Sequence, residues 1–116
     1  MSSYDLEQLE SADPLVVRVA LGGELDLTNA GDLARSLEAA AAPEAVLVLD
    51  LNRVLFVDSA ALHVLFTIAR ERGRDRLCIV LDPTAPIART LEIAALADAA
   101  RVGDTEDELV PPRASA

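Results

Sequence analysis

The run Ala45-Val46-Leu47-Val48-Leu49-Asp50-Leu51 places the tightest constraint on the fold. It is almost uninterrupted hydrophobe, rich in branched side chains and far shorter than a bilayer span. It therefore reads as a central parallel strand covered on both faces. The chain leaves this strand through a short segment that delivers Asp58-Ser59 to a long amphipathic stretch. There Leu62, Leu65, Phe66 and Ala69 recur on one stripe, widened by Val64 and Ile68, while His63, Thr67, Arg70 and Glu71 take the other. The spacing predicts a helix from about Ala60 to Arg72, ended by Gly73. Ser59 extends the outer line by one turn, so it should sit exposed at the helix start. A helix start has unpaired backbone N–H groups and the positive end of the helix dipole. A serine held there is either a cap or a phosphate-accepting switch.

The remaining segments alternate strand and helix. Tyr4 to Glu10 reads as a weak edge strand, and the turn at Asp13-Pro14 is short enough to require an antiparallel neighbour. Leu15 to Leu21 is a second strand, closed by a turn at Gly22-Gly23. Leu25-Asp26-Leu27-Thr28 leads into a helix with Asp26 or Thr28 as candidate cap, Ala30, Leu33, Ala34, Leu37 and Ala41 inside, and Pro43 as its stop. Leu77 to Leu81 is another buried strand. Asp82 to Pro86 then opens a helix over about Ile87 to Ile93, with Thr84 as candidate cap. Ala94 to Arg101 continues as helix or relaxes into loop before a short strand near Val102. Thr105 caps a brief acidic helix, and Pro111 to Ala116 reads as a frayed tail. This pattern predicts one α/β domain over residues 1–116, with a core at about 15–102 and the acidic helix and tail at 105–116. Its sheet is mostly parallel with an antiparallel first strand, and about four helices accompany it.

Charge narrows the chemistry. The formal net charge is −10, which opposes direct binding to nucleic acid or an anionic membrane and favours a partner with a basic face. All 10 basic residues are arginine. Without lysine there is no Schiff-base chemistry and no phosphate-loop lysine. No apolar run approaches the roughly 20 residues of a membrane span, and the first residues lack the pattern of a signal peptide. The single Cys78, inside an apolar run, suits a buried thiol in a reducing compartment, so the expected location is cytoplasmic.

The other candidate groups read as structural. Asp50 closes a buried strand as a phospho-accepting aspartate does, yet the late lysine of such a site is absent, which leaves a loop-forming carboxylate. His63 is the only histidine, and no acid is placed by sequence to orient it. No Cys/His/Asp grouping has metal-ligand spacing. Gly22-Gly23 lacks the rest of a nucleotide-binding fingerprint. Arg70, Arg72, Arg74 and Arg76 read as a solvated cluster at the negative end of the helix dipole. At Asp58-Ser59 either residue can cap, so one is spare. No Glu or Gln follows three residues on to complete a capping box.

These residues resemble a family. Phe56-Val57-Asp58-Ser59-Ala60-Ala61-Leu62 after a buried strand is similar to the phosphorylation motif of STAS domains, particularly bacterial anti-sigma factor antagonists. Gly23-Glu24-Leu25-Asp26 before the first helix is similar to the family's other recurrent segment. The resemblance spans about Leu15 to Val102. It implies a non-enzymatic partner-switching protein that binds an anti-sigma factor, itself a serine kinase. That kinase would use ATP and magnesium to phosphorylate Ser59, and a serine phosphatase would reverse the step. Asp58, Ser59, Ala60, Glu24, Asp26 and His63 would form the binding face, with no cofactor or metal of the chain's own, no nucleic acid and no membrane insertion. The family commonly has Ser or Thr and then Gly after the phosphoacceptor, where this chain has Ala60 and Ala61. The runner-up is a STAS scaffold or accessory subunit of a signalling or transport complex, not phosphorylated. A small hydrolase or nucleotide-binding enzyme is a third class.

Overall fold

A computed structural model describes residues 3–109. Five strands, β1 (Tyr4–Leu9), β2 (Val16–Leu25), β3 (Val46–Val57), β4 (Leu77–Val80) and β5 (Arg101–Gly103), form one sheet in sequential order. β1 runs antiparallel to β2, and every other neighbouring pair is parallel. The helices are α1 (Ala30–Ala40), α2 (Ser59–Arg72), α3 (Ala88–Ile93) and the single turn α4 (Glu106–Leu109). Short 3-10 turns cover Arg74–Arg76 and Leu96–Asp98. The expected α/β class, the antiparallel first strand and the parallel remainder are all present. The expected tail from Pro111 lies outside the described residues.

The helices are shared unequally between the two faces of the sheet. Leu33 and Leu37 of α1, Leu65 and Ile68 of α2 and Leu91 of α3 pack with Val19, Leu21, Leu47, Leu49 and Ile79 in one continuous core. The opposite face carries Val16, Val46, Val48 and Cys78, and Leu109 of α4 closes over them. With 3% aromatic residues, the core is filled by branched aliphatics. Each fully buried Leu, Ile or Val contributes about 1.5–3 kcal/mol relative to exposure. On the second face the Cys78 thiol donates to the Leu109 carbonyl at 3.4 Å, and burial pushes its pKa up to about 11.

Several expectations change. Gly22-Gly23 is not a turn: β2 continues through both glycines to Leu25. Gly23 has φ +87°, and a Cβ there would strike the Ser3 carbonyl oxygen, so only glycine fits this close approach to β1. β3 likewise runs past Asp50 to Val57, so Asp50 does not close the strand. Its Oδ1 instead accepts from the backbone and side-chain N–H of Asn52 at 2.9 and 3.0 Å. In α2 the fully buried residues are Ala61, Leu65, Ile68 and Ala69, while Leu62 and Phe66 are half-buried. The inner stripe is rotated because α2 contacts both the sheet and α1.

The arginine cluster is only partly solvated. Arg72 reaches the C-terminal end of α1 and the segment after it, donating to the carbonyls of Ala41, Ala42 and Ala45 at 2.7, 3.0 and 2.7 Å. A helix end leaves carbonyls without intrahelical partners, and a cation is well suited to them. Thr84 is not the cap of α3. Both its backbone N–H and its hydroxyl donate to Asp82 Oδ1, which holds the Asp82 pKa below its ordinary value. The cap position of α3 is Ile87, with no side-chain bond.

Candidate functional site

The site lies where β2 and β3 end. Leu25 and Val57 are register partners, and the Asp58 N–H donates to the Leu25 carbonyl at 3.1 Å, so the two connections leave the sheet together. Asp58 is the N-cap of α2, with its backbone extended as an N-cap requires. Its Oδ1 accepts from the Ala61 N–H at 3.0 Å, and its Oδ2 accepts from the Leu27 N–H at 2.9 Å. One carboxylate therefore both caps α2 and anchors the loop after β2.

That division leaves Ser59 outside the cap. It occupies the first position of α2 and is exposed, as the helical phase predicts. Ala60 is half-buried. Ala61 is fully buried in the core, so its methyl points away from the exposed side of Ser59. The α2 start needs no glycine there. His63 is exposed one turn beyond Ser59, and Ser59 and His63 share a helix face at the i, i+4 spacing.

The end of β2 at Glu24 and the loop at Asp26 are held by local hydrogen bonds. Neither Asp26 nor Thr28 is the cap of α1: the cap position is Asn29, which makes no side-chain cap bond. Asp26 Oδ1 accepts from the Thr28 N–H at 2.9 Å and from the Thr28 hydroxyl, while its carbonyl accepts from the Asn29 and Ala30 N–H groups. Asn29 is the one buried polar side chain among the described residues. Its Oδ1 accepts from the Asp26 N–H at 3.0 Å, and its Nδ2 donates to the Glu24 carbonyl at 2.9 Å. Glu24, half-buried, is the register partner of Phe56. Asp58, Glu24 and Asp26 are thus brought to one end of the sheet, Glu24 by β2 itself and the others by connections that Asp58 and Asn29 tie down.

Four residues of this end were not anticipated. Asn29 could have been found as an Asn directly before a helix, a preferred cap type. Leu27, Leu55 and Phe56 are large hydrophobics left exposed at the same end, and no simple period gives them away. Among the described residues no group of three or more His, Cys, Asp or Glu side chains could hold a metal ion, and no helix is long and apolar enough to cross a membrane.

Known proteins share this fold. A solved anti-sigma factor antagonist from Mycobacterium paratuberculosis superposes with a TM-score of 0.72 at 24% identity, over 90% of this chain and 91% of that one. The anti-sigma factor antagonist SpoIIAA in its unphosphorylated form gives 0.63 at 18% identity, covering 91% of each chain. The phosphorylated form of the Bacillus cell fate determinant SpoIIAA gives 0.55 at 20% identity, over 91% of this chain and 95% of that one. At these identities the likeness is one of fold. No curated protein matches significantly in sequence. The STAS domain profile matches residues 5–109, nearly the whole described chain, and the protein belongs to the STAS domain family.

Proposed function

We propose that this STAS domain is an anti-sigma factor antagonist that binds a serine-kinase anti-sigma factor and is switched by phosphorylation of Ser59. The observation that carries the reading is the division of labour at the start of α2: Asp58 makes the cap, and Ser59 stands beside it exposed. Phosphorylation would join the Ser59 Oγ to the γ-phosphorus of ATP on the partner, break the bond to ADP and release the hydroxyl proton. The product would carry about −1.5 to −2 charge near neutral pH. The helix dipole and free N–H groups would tolerate that charge, so the fold would survive. A partner surface matched to the neutral serine would not. Water, in a phosphatase, would return the hydroxyl. Asp58, Ser59, Ala60, Glu24, Asp26 and His63 would lie at the interface, with Asp26 and Asp58 acting mainly by holding the loops.

The net charge of −10 supports a basic partner. The alanine pair at 60 and 61 is the observation that favours the second reading, a STAS scaffold in a larger complex without phosphorylation. Co-purification from the native cell with intact-mass analysis separates the two. The switch reading expects a serine-kinase partner, one added phosphate located on Ser59, retained binding by Ser59→Ala and about 1–3 kcal/mol weaker binding by Ser59→Asp. Equal affinity of the two variants for that partner would refute it.

A further inference from the structure

We propose that affinity at this face is carried by an outward-turned apolar patch, Leu27, Leu55 and Phe56, which takes a protein surface with an apolar socket rimmed by arginine or lysine. The inference rests on the reading of this end of the sheet as the partner-binding face. Its physical basis is a β-bulge. Gly23 pairs with Val54 and Glu24 with Phe56, so Leu55 is an extra residue on β3 with no partner on β2. In an unbroken strand, neighbouring side chains point to opposite faces, and one of Leu55 and Phe56 would enter the core. The bulge turns both to solvent, at 62% and 51% exposure, while Val54 and Val57 on either side stay buried. Bulges re-aim side chains in this way next to functional sites.

Leu27 adds a third apolar group from the loop after β2. It is 77% exposed, and its N–H is held by Asp58, two residues beyond Phe56. Single exposed leucines need no explanation, but three large hydrophobics gathered at one end of a sheet mark an interaction surface. The other two exposed large hydrophobics are elsewhere, Leu15 before the start of β2 and Ile93 at the end of α3. The occupant follows from charge. Glu24 is the register partner of Phe56, Asp26 precedes Leu27 and Asp58 holds the Leu27 N–H, against Arg53 and His63 as the nearby basic side chains in sequence. An apolar centre with an acidic rim fits the usual interface pattern of a desolvated core and a polar border, and it selects a basic border on the partner. Ser59 then sits on the rim, where a phosphate would change the charge without removing the anchor.

Panning a random peptide library on the immobilised full-length protein tests this without a kinase, a phosphate or a known partner. The expected peptides combine an aliphatic or aromatic anchor with Arg or Lys. Their affinity should fall at least tenfold with Leu27→Ser, Leu55→Ser or Phe56→Ser and stay within threefold with Leu15→Ser and Ile93→Ser. Leu27 lies in a loop and is the most exposed of the three, so a Leu27→Ser protein with an unchanged urea midpoint decides the matter even if a β3 variant misfolds. Peptides that are acidic, that bind Leu27→Ser undiminished, or that are not enriched over a Leu27→Ser/Phe56→Ser counter-target would overturn the inference. None of those outcomes touches the phosphorylation reading, which the Ser59→Ala and Ser59→Asp comparison tests separately.

Discussion

Replacing Asp58 by alanine removes two hydrogen bonds at once, and the structure allows the loss to be divided. The Oδ1 bond to the Ala61 N–H is the N-cap of α2, a contribution of about 0.5–2 kcal/mol. The Oδ2 bond to the Leu27 N–H joins the neighbouring loop. A hydrogen bond to a charged group is worth about 1.5–3 kcal/mol when buried, and the exposure of Leu27 reduces that to about 1. Asp58→Ala should therefore destabilise the protein by about 1.5–3 kcal/mol. Asp58→Asn keeps one acceptor oxygen and should lose about half as much, whereas Ser59→Ala should cost under about 1 kcal/mol. In urea unfolding, with a slope of about 1–3 kcal/mol/M, Asp58→Ala should lower the midpoint by about 0.5–3 M with the slope unchanged. Amide exchange at Leu27 should accelerate along with that at Ala61. An Asp58→Ala cost below about 0.5 kcal/mol, or a larger cost for Ser59→Ala, would refute this assignment of cap and spare residue.

Three further outcomes are expected. Gly23→Ala should cost about 2–4 kcal/mol, because it combines a disfavoured positive φ with a clash against the Ser3 backbone; circular dichroism melts against wild type would measure this. Arg72→Met should lose about 1.5–3 kcal/mol in urea unfolding, since the carbonyls of Ala41, Ala42 and Ala45 lose a charged donor. Cys78, whose pKa lies at about 11 in the fold against an ordinary value of 9.0, binds its proton more tightly in the folded state. Its contribution is fully present below about pH 9 and is lost as pH rises toward 11. Unfolding titrations should show stability falling across that window, a fall that Cys78→Ala removes, and the native thiol should resist alkylation at pH 8 until the protein opens.

Strong periodicity and local chemistry were legible before the structure. Leu47 to Leu51, the extent of α2, the Gly73 stop and the exposed phase of Ser59 all follow from spacing and side-chain type. What escaped was set partly by tertiary contact and partly by short-range side-chain bonds. Gly22 and Gly23 look like a turn in isolation, yet β1 approaches so closely that glycine is needed inside a strand. Asp50 looks terminal because a carboxylate rarely sits mid-strand, but Asn52 supplies two donors to it. Thr84 and Asp26 have cap-like chemistry and spend it on their own turns. Leu55 and Phe56 could not be recognised as exposed, because a bulge is a property of the pairing between strands, which no single strand's alternation contains.

The sequential order of the strands has a consequence for how the chain assembles during synthesis. Each strand pairs with the one made before it, so no strand must wait for a later one or insert between two already joined. β1 and β2 can close as a hairpin once both have been made, and β3, β4 and β5 can then be laid down one at a time on an existing edge. Loop closures of this kind span tens of residues rather than the whole chain, which favours fast folding for a parallel sheet. A nascent chain truncated after α2 would already hold both connections at the Asp58 end of the sheet, with the β4 edge of β3 and the surfaces later covered by α3 and α4 left open.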